Sequence, residues 1–209
     1  FYKFSNKKYD EKKIFNIQNW VLNKKIKYFN KDIVIVCISK WLEKLAKESH
    51  VFKNNKIYTI PCTIDVNDWK SFDKKKARQS LGFDTNKKYY LFSAFNGIND
   101  KRKGFDLMLD SLSKISMSKN KFVVVVLGNA EGLNRINELY KFDFRVFDQN
   151  FDNDKNLLKT IYSACDILIM PSRLEAFGQV ALEAGCCELP CVSFKNTGVE
   201  EVISHNNDG

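Results

Sequence analysis

The sequence predicts an α/β protein built on a parallel sheet, with a short strand–helix–strand unit ahead of it. Three observations carry that expectation. From about Lys76 onward, short apolar strands alternate without a break with helix-like stretches, and such alternation implies crossover connections and parallel pairing. Residues 32–38 (DIVIVCI) form a continuous apolar run, the pattern of a strand covered on both faces. Residues 168–187 (LIMPSRLEAFGQVALEAGCC) lead from a strand through a Pro171-Ser172-Arg173 turn into a helix, with Glu175 before the corner and Glu183 after it.

Taken in order, residues 10–29 place Ile14, Ile17, Val21, Leu22, Ile26 and Phe29 at near-helical spacing among lysines, with Asp10 and Glu11 at the start where carboxylates suit a helix. The expectation is a helix packed on a neighbouring domain; contact with a membrane surface is the alternative. Strand 32–38 follows, then Ser39 as the cap of a helix over 40–49, then strand 56–60 stopped by Pro61. The division is an N-terminal stretch over 1–61, a polar linker over 62–76 with Asp65, Asn67 and Asp68, and a regular strand–helix domain over 77–209. Within it, strands are expected at 89–95, 121–127, 144–147, 166–170 and 190–194. Helices are expected at 104–116, 131–140, 154–163, 178–187 and 198–204. Phe1 opens the chain and an Asn-Asn-Asp-Gly turn closes it, which reads as a piece open at both ends.

Composition limits the classes available. The 209 residues have 44% apolar content, mean hydropathy −0.36 and no apolar run near the roughly 18 residues of a membrane span. Net charge is +9, carried mainly by scattered lysines. It reads as a solvated surface or as attraction to an anionic membrane face. Basic and aromatic residues are not interleaved in a nucleic-acid-binding pattern, so no nucleic-acid partner is expected. Six cysteines without a Cys-x-x-Cys pair or a nearby His read as buried thiols in a reducing compartment, hence a cytoplasmic protein without zinc.

The strand-to-helix corner carries the chemistry. In an open α/β sheet such a corner lies at the carboxyl edge of the strands, where ligands bind. The helix start near Gly178 offers backbone N–H groups and a positive dipole end to an anion, and Gly178 is expected to let a ligand approach the backbone closely. Glu183, on the second turn, is placed to accept hydrogen bonds from hydroxyls. Arg102 and Lys103, ahead of Gly104 and a helix, supply fixed positive charge to a diphosphate. Donors for an anion beside acceptors for hydroxyls suit a ligand that is part phosphate and part sugar.

These segments resemble those of the family 4 glycosyltransferases, retaining enzymes that use nucleotide sugars. Residues 168–187 resemble the family's glutamate pair, and 100–106 (DKRKGFD) its arginine/lysine–lysine–glycine segment. Residues 123–128 (VVVVLG) look like the next strand and glycine turn, 161–171 (IYSACDILIMP) like the lead into the glutamates, and 190–203 like the segment after them. The resemblance implies the GT-B architecture, with a Rossmann-like C-terminal domain that binds the nucleotide sugar, preceded here by the tail of the N-terminal domain. It assigns Glu175 to the donor sugar, Glu183 to the ribose, Arg102 and Lys103 to the diphosphate, and the backbone of Phe177, Gly178 and Gln179 to phosphates or sugar. Val146 and Phe147 are expected to border the base. Where the family has an Arg directly after the preceding strand, this chain has Asn96 and Gly97, so either Arg102 takes that part or the diphosphate is held less tightly.

The implied activity is transfer of a hexose from a nucleoside diphosphate to a hydroxyl of a glycan or lipid-linked acceptor, of the cell-surface polysaccharide type, at the inner face of the membrane. No cofactor is expected, and no metal. Asp152-Asn153-Asp154 superficially matches an Asp-x-Asp cluster but reads as a helix cap, and His50 and His205 are isolated. Two alternatives stand beside this reading. One is a GT-B nucleotide-sugar epimerase, which needs no acceptor; the other is a basic binding module with a decayed site, against which the joint presence of Glu175, Glu183 and Lys103 argues.

Overall fold

The structure, a computed structural model, describes residues 17–29, 32–95, 97–115, 122–147, 154–205, 207 and 209. Asp10, Glu11, Ile14, Asn96, Asp152 and Asn153 lie outside the described residues. Helix α1 spans Ile17–Tyr28, followed by a small parallel pair, β1 (Ile35–Cys37) and β2 (Ile57–Thr59), joined through α2 (Lys40–Glu48). The main body begins with α3 (Lys74–Ser80) and continues as β3 (Lys88–Ser93), α4 (Phe105–Lys114), β4 (Phe122–Leu127) and α5 (Leu133–Tyr140). It ends with β5 (Asp143–Phe147), α6 (Lys155–Ala164), β6 (Ile167–Met170), α7 (Gln179–Cys186) and β7 (Cys191–Ser193).

The five main strands are all parallel, in the order β5-β4-β3-β6-β7. The parallel α/β class expected from the alternation is what the chain adopts. The sheet is filled on both faces by a period of two. Tyr89, Leu91, Val123, Val125, Leu127 and Leu168 point to one side, against α3, α6 and α7 through Ala77, Ile161, Tyr162 and Ala184. Phe92, Val124 and Val126 point to the other, against α4 and α5 through Phe105, Met108, Leu109 and Leu133. Every residue of β4 is buried, as its all-apolar sequence demands.

The structure alters several expectations. Helix α3 starts at Lys74, inside the stretch read as linker, because Asp73 caps it by accepting from the Lys76 N–H at 2.8 Å. The expected helix over 198–204 is only a 3-10 turn, Gly198–Glu201. The described part of α1 buries no residue, so the expected packing of that helix is not seen there; Phe29 beyond it meets Phe52 edge-on, centroids 4.9 Å apart. Strand β1 is parallel as expected but not covered on both faces: Val36 is 55% exposed. Among the described residues no helix is long and apolar enough to cross a membrane, and all six cysteines are free thiols. Burial raises the Cys187 thiol to about 12 and the Cys165 thiol further still, which keeps both protonated and inert.

Candidate functional site

The strand order sets the place of the site. From β3 the chain steps outward to β4 and β5, then returns to the other side of β3 for β6 and β7. The order therefore reverses between β3 and β6, and the loops leaving their carboxyl ends part there to form a crevice. Lys103 stands on the loop after β3 and Glu175 on the loop after β6. Seventy-two positions apart in sequence, they meet with Lys103 Nζ 2.6 Å from Glu175 Oε2. Both side chains are mostly covered, 29% and 14% exposed, so the pair is screened less than a surface pair.

The two loops are sewn together behind that pair by Arg173. Its backbone N–H donates to the Arg102 carbonyl at 2.7 Å and its Nη1 to the Lys101 carbonyl at 2.7 Å. The same guanidinium forks onto Asp106 at the start of α4, at 2.9 and 2.7 Å, and this hydrogen bonding holds the Asp106 carboxyl below its usual range. Arg173 thus fixes the backbone on both sides of the crevice. Arg102 turns elsewhere: its guanidinium pairs with Asp100 at 3.0 and 2.8 Å, is 66% exposed, and depresses the Asp100 carboxyl. The cation at the crevice is Lys103, with Arg102 at its rim.

Gly178 sits at the start of α7 with φ +100°. A Cβ at this position would lie 2.7 Å from Val199 Cγ2, so the left-handed cap is packed against the last 3-10 turn and that packing by itself calls for glycine. Among the described residues the backbone N–H groups of Phe177, Gly178 and Gln179 have no partner, which leaves them as donors at the helix start. The Phe177 ring itself is buried.

Glu183 lies one turn further along α7, half-buried, and accepts from Tyr162 Oη at 3.0 Å. Tyr162 is fully buried; burial first and the neighbouring carboxylate second raise its phenol well above the usual value, so it remains a neutral donor. Gly97 opens a 3-10 turn, Gly97–Asn99, after β3 and is buried; Asn96 lies outside the described residues. Val146 and Phe147 are on β5, an edge strand two places from β3. Val146 is exposed, and the Phe147 ring is 6.2 Å from that of Phe83 in the core. A cavity of about 350 Å³ elsewhere, beneath the linker, is lined by Phe72, Lys74, Tyr162 and Cys187 and includes neither member of that pair.

Sequence reasoning missed Tyr162 and Arg173. Tyr162 had a signal, a lone hydroxyl in an otherwise apolar helix face, which demands a partner when buried. Arg173 had none beyond its neighbourhood, since both its partners are 67 or more positions away.

Fold and site together define a parallel-sheet module with a switch-point crevice that offers a cation, free helix-start amides and two carboxylates. Residues 73–209 match the family of glycosyl transferases group 1, and the chain belongs to it. A D-inositol 3-phosphate glycosyltransferase of Segniliparus rotundus is 29% identical over 161 residues, covering 74% of this chain and 35% of that protein. Among solved structures, sucrose-phosphate synthase of Thermosynechococcus elongatus superposes with a TM-score of 0.70 at 20% identity, over 88% of this chain and 46% of that one. HepE of Anabaena, solved in complex with UDP and glucose, superposes with a TM-score of 0.67 at 19% identity, over 90% of this chain and 50% of that one. These likenesses identify the fold as that of GT-B glycosyltransferases. The chain spans between about a third and two fifths of the length of the first curated relatives it matches.

Proposed function

We propose that this chain is the donor-binding part of a retaining glycosyltransferase. It moves a hexose from a nucleoside diphosphate to a hydroxyl of a glycan or lipid-linked acceptor, in cell-surface polysaccharide synthesis at the cytoplasmic face of the membrane. On this reading residues 1–61 are the tail of the acceptor-side domain and 77–209 the nucleotide-sugar-binding domain, joined by the linker over 62–76. The observation that carries the proposal is the Lys103–Glu175 pair at the switch point, beside the unpartnered amides of Phe177, Gly178 and Gln179. The relative solved with UDP and glucose supports the ligand class.

The chemistry follows from charge. As the bond from the sugar to the diphosphate breaks, negative charge grows on the leaving phosphate and positive charge on the sugar ring. Lys103 and the helix-start amides stabilise the first. Glu175, released from Lys103 when phosphate takes its place, accepts from sugar hydroxyls and stabilises the second. Glu183, steadied by Tyr162, holds the ribose hydroxyls. Arg102 adds charge at the rim. The transfer proceeds without a metal or a cofactor, because Lys103 and the amides supply the charge a cation would bring.

The test is calorimetric titration, after a thermal-shift panel of UDP, GDP and ADP and their hexose esters. A ligand at 100 times its Kd adds about 2.7 kcal/mol of stability. Glu183→Ala should weaken the nucleoside diphosphate roughly ten- to a hundred-fold, the worth of a hydrogen bond to a charged group. Glu175→Ala should not weaken the diphosphate, since it frees Lys103 from its partner, and should weaken the nucleotide sugar. If neither variant changes either ligand, the glutamates are surface residues and the proposal falls.

A further inference from the structure

Helix α2 precedes the linker, yet its first turn is completed from the far end of the chain. A helix leaves its leading N–H groups without internal partners. Here Glu201 supplies two of them: Oε2 accepts from the Lys40 N–H and Oε1 from the Trp41 N–H, each at 2.9 Å. A carboxylate is also the charge that a helix start favours. Ser39 Oγ accepts the third, from the Leu42 N–H at 3.1 Å. The Ser39 hydroxyl has one proton, and it goes to the Ala176 carbonyl at 2.6 Å. Ser39 is fully buried, so this hydroxyl is out of contact with water.

The receiving side is the loop that carries Glu175. The Ala176 carbonyl is held by Ser39, and the Glu175 carbonyl accepts from the Gly198 N–H at 2.8 Å. Gly198 begins the 3-10 turn that ends at Glu201. It approaches so closely that a Cβ there would lie 2.0 Å from the Ala176 oxygen. Two consecutive carbonyls of the Glu175 loop are therefore gripped from opposite directions, one by α2 and one by the turn whose own carboxylate is bonded to α2. The three parts form a closed ring of hydrogen bonds, and none can shift without breaking a bond to another.

We propose that Ser39 and Glu201 are positioning residues that lock the segment before the linker onto the Glu175 loop, so that full recognition of the donor sugar depends on where α2 sits. The inference rests on the reading of Glu175 as the donor-sugar contact. Of the groups assigned to the nucleoside diphosphate, Lys103 and Glu183 take no part in the ring of bonds, while the Phe177 N–H shares a peptide with the Ala176 carbonyl. Loss of the lock should therefore weaken the sugar contact more than the diphosphate.

Ser39→Gly removes both hydrogen bonds of the hydroxyl, but glycine is itself a tolerated N-cap, so α2 should persist while the donor to Ala176 is lost. Ser39→Thr restores the hydroxyl. Glu201→Gln, at an exposed position, tests the second arm in a variant that folds even if Ser39→Gly does not. Two measurements on the full 209-residue chain decide the matter. The first is amide exchange over residues 174–179 without ligand, which should rise roughly three- to ten-fold in Ser39→Gly, the worth of one hydrogen bond, and return in Ser39→Thr. The second is the ratio of UDP-glucose to UDP affinity, which should fall by roughly three- to ten-fold, with UDP itself weakened less than UDP-glucose. Glu201→Gln should move both readouts the same way and less. Unchanged exchange over 174–179, or equal weakening of UDP and UDP-glucose, overturns the lock. A wild-type chain that binds neither ligand overturns the donor-site reading and with it the sugar arm, while the exchange readout still decides whether Ser39 holds the loop.

Discussion

Strands β4 and β1 are written in nearly the same letters and meet opposite fates. β4 (FVVVVL) buries all six side chains, whereas in β1 (IVC) only Cys37 is buried and Val36 is more than half exposed. Its neighbour β2 likewise leaves Tyr58 exposed. The difference is not propensity, since both runs are β-branched and apolar. β4 has β3 and β5 on its flanks and helices on both faces, while β1 has one neighbour and α2. An apolar strand shows that a face wants cover; what covers it is settled elsewhere in the chain.

The sharpest way to break this contrast is truncation in each place. Leu127 on β4 is buried, and Leu127→Ala should cost about 2–5 kcal/mol through lost burial and a residual cavity. Val36→Ala should stay within about 0.5 kcal/mol, as exposed truncations do. Urea unfolding of both variants checks the pair. A cost above about 1 kcal/mol at Val36 would mean that this face is covered in solution.

A second test concerns the polar anchor of the covered sheet. Asp166, ahead of β6, binds Arg78 Nη2 at 2.7 Å, Lys74 Nζ at 2.9 Å and the Tyr89 N–H at 2.8 Å. Burial pushes its carboxyl upward, but the Tyr89 amide and the Lys74 and Arg78 charges outweigh it and the net shift is downward. A carboxyl depressed in the folded state adds stability above its unfolded value, near 3.9, and that stability is lost as pH falls through the folded value. Asp166→Asn should therefore cost roughly 2 kcal/mol at pH 7 and progressively less below about pH 4, measured by urea unfolding at each pH. A pH-independent cost would assign the effect to packing.

The smallest effect is expected at the site itself. Tyr162→Phe removes the hydroxyl that steadies Glu183 and that also bonds Ser93, and should weaken nucleoside diphosphate binding by roughly two- to ten-fold. Combined with Glu183→Ala it should add little to the loss of binding, since the hydroxyl reaches the ribose through Glu183. Full additivity in calorimetric titration would separate Tyr162 from the ribose contact.

Much of the site was legible because its signals are local. Lys103 precedes a glycine and a helix, and Glu175 and Glu183 bracket one corner; short spacing and the left-handed Gly178 are properties of a few adjacent residues. Arg102 illustrates the limit. Its sequence neighbours marked it as a phosphate ligand, yet Asp100, two positions away, takes its guanidinium to the rim. Tyr162, Arg173, Ser39 and Glu201 were not assigned a part in the site, because each acts through a partner at least 21 positions distant. The final helix was overestimated for a related reason: the segment from Gly198 is tied to the Glu175 carbonyl and closes after one turn.

By itself the amino-acid order determined the α/β class, the parallel sense of the sheet and the corner where Glu175 and Glu183 stand, because hydrophobic period, strand–helix alternation and turn chemistry act over a few residues. Only the tertiary structure decided that β4 is covered and β1 is not, that Lys103 rather than Arg102 faces Glu175, and that α2 is capped by Glu201. Those outcomes depend on which distant groups a compact chain brings within about 3 Å, the reach of a hydrogen bond, and no local pattern encodes that distance.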